Sequence, residues 1–239
     1  ERSMKDANLI ITDTEFIKKD IINFFPETKN KIQNIYLGVS DDFKLRNSSD
    51  VNKTLNKYNL KFKKFFLFVS TIEPRKNLIN ILNAYNICPK KIKDQYPLII
   101  CGSNGWLSKD ILEHINSLSK NNDIRRIGFI DDSDLFNLYS SCHTFLYPSL
   151  YEGFGLPVLE AMKSGAPVIT SENSAMSEIS NGSSLLVNPL NIEQISTNII
   201  QLVENKELYE NFVKKGLNNC KKFSWDKTAK ELTDSYNTI

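Results

Sequence analysis

Two carboxylates flank a Gly-Phe-Gly turn in the run Glu152-Gly153-Phe154-Gly155-Leu156-Pro157-Val158-Leu159-Glu160. Glycines at 153 and 155 let the backbone turn tightly and approach a ligand closely. Pro157 suits the first turn of a helix and Gly165 its end. Glu152 then stands just before that helix and Glu160 about one turn into it, so one rigid element can aim both at one cleft. A carboxylate so placed can accept hydrogen bonds from two sugar hydroxyls at once. Acidic residues also complement the dipole at a helix start, which explains one glutamate but not the turn between two.

A second loop is Ser70-Thr71-Ile72-Glu73-Pro74-Arg75-Lys76-Asn77. Arg75 and Lys76 beside a helix N-terminus put two cations and several free N–H groups together, a constellation suited to a diphosphate. Two solvated loop cations are the competing reading. A third loop, Gly128-Phe129-Ile130-Asp131-Asp132-Ser133-Asp134, has three alternatives. Asp131, Asp132 and Ser133 are all N-cap types. Ile130 backbone with the Asp132 carboxylate can read a nucleobase edge, and an aspartate acceptor suits guanine with its adjacent N–H donors. Asp132-Ser133-Asp134 also has the D-x-D form that holds a divalent metal in some enzymes. A fourth loop, Cys101-Gly102-Ser103-Asn104-Gly105-Trp106, reads as a close-packed turn facing the same side. His114 and His143 lie in no metal-ligand spacing, and no P-loop, G-x-S-x-G or H-E-x-x-H motif occurs.

Each of these loops follows a short apolar run. Strands are predicted at 65–69, 98–101, 124–127, 144–147, 167–170 and 184–187, each bounded by Gly, Pro, Ser or Asn. Helices are predicted between them at 77–86, 107–118, 134–140, 157–164 and 174–179. This alternation implies parallel β-α-β units and an α/β, doubly wound, Rossmann-like sheet, with ligands at the carboxyl ends of its strands. The ends differ. A strand at 9–12, an amphipathic helix at 15–25 stopped by Pro26 and a strand at 32–37 look like the last piece of a preceding domain. Residues 41–60 have the polar composition of a linker. The C-terminus reads as three helices, 192–204, 206–222 and 224–236, with Ser224 an N-cap for the last. The expected organisation is therefore 1–40, tail of a first domain; 41–60, linker; 61–222, ligand-binding domain; and 223–239, a returning helix. A first residue of Glu1 rather than Met points to a fragment or processed product.

Composition narrows the function classes. Of 239 residues, 41% are hydrophobic and 24% charged, the balance of a globular chain. Lys+Arg number 30 against 28 Asp+Glu, for a net charge of +2; that near-balance argues against a nucleic-acid binder. No apolar run is long enough to span a bilayer. Four scattered cysteines, 88, 101, 142 and 220, lack zinc-site spacing and read as buried thiols of a reducing compartment.

Taken together, Glu152 to Glu160, Glu73-Pro74-Arg75-Lys76-Asn77, Gly128-Phe129-Ile130, Tyr147-Pro148-Ser149 and Gly165-Ala166-Pro167-Val168-Ile169 resemble the Glu-x7-Glu motif and surrounding words of retaining glycosyltransferases of the GT-B fold, family-four group. The order and spacing match over essentially the whole chain. The resemblance implies two Rossmann-like domains facing across a cleft, of which this chain is mainly the second, donor-binding half. It implies that Lys76 binds the donor diphosphate with Arg75 beside it, and that Glu152 lies near the donor sugar hydroxyls. Gly153, Phe154, Gly155 and Leu156 would offer backbone N–H groups to sugar and phosphate, and Glu160 would bond both ribose hydroxyls. Ser70 and Thr71 stand where many members have Gly-Arg, so Arg75 is the substitute cation. Ile130 and Asp132 align with base contacts.

The function implied is retaining transfer of a sugar from a nucleotide sugar to a glycan or lipid-linked acceptor, with no cofactor and no metal required because Lys76 and Arg75 neutralise the leaving diphosphate. A GDP-linked sugar is preferred on Asp132, with UDP sugars the alternative. The missing first domain would be supplied in cis or by another chain. The second reading is a module that binds a nucleotide sugar without transferring it; an epimerase or phosphorylase of the same fold is a third, against which the Glu-x7-Glu spacing argues. The implied location is cytoplasmic, with a peripheral position at the cytoplasmic membrane face an open alternative: Lys18 and Lys19 suit either a membrane-facing or a domain-packing helix.

Overall fold

The computed structural model describes residues 2–119 and 123–237. The chain opens with α1 (Arg2–Asp6), β1 (Ile10–Thr12), α2 (Glu15–Phe24) and β2 (Ile32–Asn34); β1 and β2 pair in parallel from Ile10↔Ile32 to Thr12↔Asn34. Thr14 caps α2 by accepting a hydrogen bond from Ile17 N, and Pro26 starts a 3₁₀ turn that ends the helix. Helix α3 (Ser48–Lys57) follows. It lies inside the stretch expected as a linker, and a capping box of Asn47 and Asp50 starts it. Its otherwise polar sequence buries Val51, Thr54 and Leu55, which is enough to seat it on a neighbouring helix.

Six strands then alternate with helices: β3 (Phe66–Val69), α4 (Leu78–Asn86), α5 (Lys90–Gln95), β4 (Leu98–Cys101), α6 (Lys109–Leu118), β5 (Ile124–Gly128), α7 (Asp132–Ser141), β6 (Thr144–Tyr147), α8 (Leu156–Lys163), β7 (Val168–Ser171), α9 (Ala175–Ser180) and β8 (Leu185–Val187). All pair in parallel, in the order β5-β4-β3-β6-β7-β8. Chain direction across the sheet reverses between β3 and β6, the topological switch point of a doubly wound sheet. The expected strands and helices all form, with boundaries shifted by a residue or two, except that the strand expected at 32–37 ends at Asn34. Helix α6 starts later than expected because Leu107 takes a left-handed conformation, φ 48°. Helix α5 was not expected.

The central strands read as continuous apolar runs because helices cover both faces. Phe66, Leu67, Phe68, Leu98, Ile99, Ile100, Phe145 and Leu146 are fully buried. Helix α4 turns Leu78, Ile81, Leu82 and Tyr85 to this core at helical spacing. Against α4 packs α10 (Ile192–Glu204), which contributes Ile195, Ile199 and Leu202. Two more helices, α11 (Lys206–Cys220) and α12 (Trp225–Tyr236), close the chain. Ser224 caps α12 as expected. This helix returns to the N-terminal unit: Thr228 Oγ1 donates to the Tyr36 carbonyl at 2.7 Å. Residues 238 and 239 of the expected returning segment lie outside the described residues. All four cysteines are free and buried, as expected. Among the described residues, no helix is long and apolar enough to cross a membrane.

Candidate functional site

The loops after β3 and β6 flank the switch point. These two strands pair through Phe66↔Thr144 and Leu67↔Phe145 and then part, whereas β3 stays paired with β4 up to Val69↔Cys101 and β6 with β7 up to Tyr147↔Thr170. The parting opens a crevice at the carboxyl ends of the strands. Asn77 ties its walls together. It sits at φ 60°, a left-handed conformation that asparagine tolerates, and its Nδ2 donates to the carbonyls of Pro148 at 2.8 Å and Pro189 at 2.7 Å. Leu150 N donates to the Arg75 carbonyl at 2.9 Å. On the other side of β3, Gly102 at φ 133° lets the loop after β4 approach so closely that a Cβ there would lie 1.8 Å from the Ser70 carbonyl.

These anchors deliver Lys76 to Glu152 across the crevice. Lys76 is 9% exposed and Glu152 8%. Lys76 Nζ bonds Glu152 Oε1 at 2.6 Å and Tyr147 Oη at 2.9 Å, and Tyr147 Oη donates to the same Oε1 at 2.9 Å. Arg75 holds the other oxygen, Oε2, at 2.7 Å, and reaches Glu73 at 2.7 Å with its second nitrogen. Two cations and two carboxylates therefore balance. Burial alone would raise the Glu152 pKa, but the Lys76 ammonium, the Tyr147 hydroxyl and Arg75 outweigh it and hold the carboxylate below its ordinary value.

Glu160 shares the cleft under different conditions. It lies about one turn into α8, near the Tyr139 hydroxyl, with no cation among the described residues to offset its desolvation. Desolvation pushes its pKa up to about 7, with Tyr139 drawing it part of the way back. Helix α8 starts from Gly155, whose φ of 103° and contact with Met176 leave no room for a side chain; a Cβ would lie 2.7 Å from Met176 Cγ. The cleft is about 360 Å³ and is lined by Ser70, Lys76, Tyr147, Glu152, Phe154 and Glu160, among others. Through Val69 and Ser70 it continues into a smaller cavity of about 210 Å³ that includes Thr71, Ser103, Phe129, Ile130 and Asp132. A larger groove of about 790 Å³ lies beside α11 and near Lys63 and Gly165, at the amino ends of the strands. It lacks convergent carboxylates, so size does not decide the site.

Of the residues singled out from sequence, Ser70, Lys76, Glu152, Phe154, Gly155, Leu156 and Glu160 line the cleft, and Thr71, Ile130 and Asp132 line its extension. Arg75 and Gly153 do not. Arg75 instead bonds Glu152, and the Gly153 carbonyl faces away, accepting a hydrogen bond from Thr14. Gly153 has open space around its Cα and no left-handed φ, so the turn needs glycine at 155 rather than at both positions. The cap of α7 is Asp131, whose side chain accepts from Asp134 N, which leaves Asp132 exposed at the cavity. Asp134 is buried and bonded to Thr54, Lys57 and Tyr58, so Asp132 and Asp134 do not converge as a D-x-D pair. Among the described residues, no group of three His, Cys, Asp or Glu is placed to hold a metal ion. Sequence reasoning gave no role to Tyr147 and Tyr139. The signals for Tyr147 were its position as the last residue of a central strand and its place in the Tyr147-Pro148-Ser149 segment, neither of which gave it a role. His143 is buried among aromatic rings and desolvated, with its pKa down to about 3, so it stays neutral.

A doubly wound sheet thus brings a buried, cation-paired carboxylate and a second carboxylate into one cleft at its switch point. Comparison with known proteins names the family: residues 50–219 match the family Glycosyl transferases group 1, and the chain belongs to it. It is 33% identical over 237 residues to the O-antigen chain mannosyltransferase B of Escherichia coli, across 99% of this chain and 62% of that protein. It is 28% identical over 240 residues to the serotype-specific mannosyltransferase WbdA of Escherichia coli, across 98% of this chain and 29% of that protein. The crystal structure of HepE of Anabaena in complex with UDP-glucose superposes with a TM-score of 0.87 at 18% identity, covering 99% of this chain and 65% of that one. The fold is thus the expected GT-B half, and the chain spans under two thirds of the length of these relatives.

Proposed function

We propose that this chain is the donor-binding half of a retaining glycosyltransferase that moves a sugar from a nucleotide sugar to a glycan or lipid-linked acceptor in polysaccharide assembly. The observation that carries this reading is the juxtaposition of the Lys76–Glu152–Tyr147 cluster with Glu160 in one cleft, in a chain of this family. Lys76, with Arg75 behind it, neutralises charge growing on the departing diphosphate, and preorganised donors of this kind stabilise a transition state without reorganising. This role needs no metal. The leaving diphosphate helps deprotonate the acceptor hydroxyl on the same face of the sugar, so the domain needs no strong base. Glu152 orients the sugar, Glu160 holds the ribose, and the cavity at Ile130 and Asp132 takes the base. Mannose is the first candidate sugar, since curated relatives are named mannosyltransferases, and Asp132 favours a GDP donor over a UDP donor. Acceptor contacts come from the remainder of the first domain.

The test is calorimetric titration with GDP and with UDP, each with and without EDTA. Saturable binding of one nucleotide, unchanged by EDTA, is the expected outcome. Binding lost on chelation would overturn the assignment of diphosphate charge to Lys76 and Arg75. Failure of both nucleotides to bind would overturn the donor site itself.

A further inference from the structure

The segment carrying Glu152 is gripped from outside its own domain, on both sides of the glutamate. After it, Thr14 at the start of α2 uses one hydroxyl twice. Its Oγ1 accepts from Ile17 N at 3.2 Å, capping the helix, and donates to the Gly153 carbonyl at 3.0 Å. Before it, the Tyr151 ring packs on Phe16 with centroids 6.1 Å apart, and its hydroxyl donates to Asp20 Oδ2 at 2.9 Å. Helix α2 is itself docked by Glu178 of α9. Glu178 Oε1 accepts from Glu15 N and from Tyr36 Oη, both at 2.8 Å, and Oε2 from Phe16 N at 2.7 Å. These acceptors satisfy N–H groups that a helix start otherwise leaves open. Thr14 and Glu178 do not line the cleft.

The consequence lies in one peptide plane. A trans peptide points its C=O and its N–H in opposite directions. By holding the Gly153 carbonyl toward α2, Thr14 turns the N–H of Phe154 away from α2, and Phe154 lines the cleft. That N–H meets no acceptor among the described residues. Nothing local would hold the plane in this orientation, since Gly153 is unstrained and has open space around it.

We propose that Thr14 is a positioning residue for the donor site: through the Gly153 carbonyl it presents the Phe154 N–H to the sugar-diphosphate end of the donor, and Glu178 keeps Thr14 in place. The N-terminal unit thereby sets the geometry of the loop across the cleft. This proposal rests on the donor-site reading above, and the test separates the two.

Thr14→Val keeps shape and removes both hydrogen bonds, and Thr14→Ser keeps the hydroxyl. GDP-mannose and GMP are titrated by calorimetry into parent and variants, with UDP-glucose and UMP in parallel. The expected result for Thr14→Val is an about five-fold loss of nucleotide-sugar affinity, the size of one hydrogen bond, with monophosphate affinity unchanged and Thr14→Ser near the parent. Hydrogen exchange at 153–155 accelerates in Thr14→Val and not in Thr14→Ser. Glu178→Gln, which leaves one acceptor oxygen for three donors, shows the same selective loss. Nucleotide-sugar binding by Thr14→Val equal to the parent's overturns the proposal, as does an equal loss of monophosphate, which marks a general structural defect. Parent protein that binds no nucleotide overturns the donor site, and the positioning role with it.

Discussion

Glu152 and Glu160 face one cleft from the two ends of a single motif, yet they stand in opposite electrostatic settings. Lys76 and Arg75 surround Glu152 and keep it ionised despite deep burial. Glu160 is partly exposed and has no cation among the described residues to offset its desolvation, and its pKa rises to about 7. Burial penalises a charge in both places; what differs is whether a neighbouring cation offsets it. In the proposed donor site, the ionised corner would meet sugar hydroxyls and share its cations with phosphate. The other corner gains its full accepting capacity at neutral pH and above. Pairs of carboxylates pushed apart by their surroundings mark sites with divided roles.

The largest effect that would test this contrast comes from Lys76→Ala. It leaves Glu152 buried with one cation fewer, and breaking a buried pair costs about 3 kcal/mol. A Tm lower by about 10 °C is expected, with GDP or UDP affinity reduced about 100-fold because a charge-assisted contact to the diphosphate is lost. A variant as stable as the parent would show that Glu152 is not held chiefly by Lys76.

Glu160→Gln has the next largest effect, and it works in two directions. The folded pKa near 7 lies above the ordinary 4.5, so folding favours the protonated form. The stability this confers is full below about pH 4.5 and is lost as pH rises through 7. Glutamine removes the penalty, and the variant should be about 1–3 kcal/mol more stable than the parent at pH 8 and no more stable at pH 4. Nucleotide affinity should fall about ten-fold at pH 8, about 1.4 kcal/mol. In the parent, that affinity should rise between pH 6 and pH 8 with a midpoint near 7, as Glu160 ionises to accept two ribose hydroxyls. Titrations across this range check it, and a midpoint that persists in Glu160→Gln would locate the titrating group elsewhere.

The smallest effect sharpens the comparison with a third carboxylate. Asp132 is exposed at the cavity margin and, unlike Asp131, caps nothing. Asp132→Ala should change stability by less than about 0.5 kcal/mol while narrowing the preference between GDP and UDP a few-fold. A loss of a typical cap's about 1 kcal/mol would return Asp132 to a structural role.

Much of this cleft was legible before any coordinates. Gly155, Pro157 and Gly165 mark the start and end of α8 through local backbone chemistry, and Lys76, Glu152 and Glu160 stand out by type and spacing. Other features were hidden for physical reasons. Helix α3 has few apolar residues, and its Thr54 and Lys57 find their partner Asp134 far along the chain. Asp131 rather than Asp132 caps α7, a choice among adjacent residues of equal propensity. Tyr147 joins the site because the last residue of β6, beside the switch point, faces the crevice, and Thr14 reaches Gly153 across 139 residues.

The sequence by itself determined the alternation of strand and helix, hence the parallel sheet, and the loops at its carboxyl edge, because hydrophobic period and turn chemistry act over a few residues. Tertiary structure decided the charge state of each carboxylate and the orientation of the Gly153–Phe154 peptide. Both depend on solvent exclusion and on partners from distant segments, and these exist once β3 and β6 lie side by side and α2 has docked.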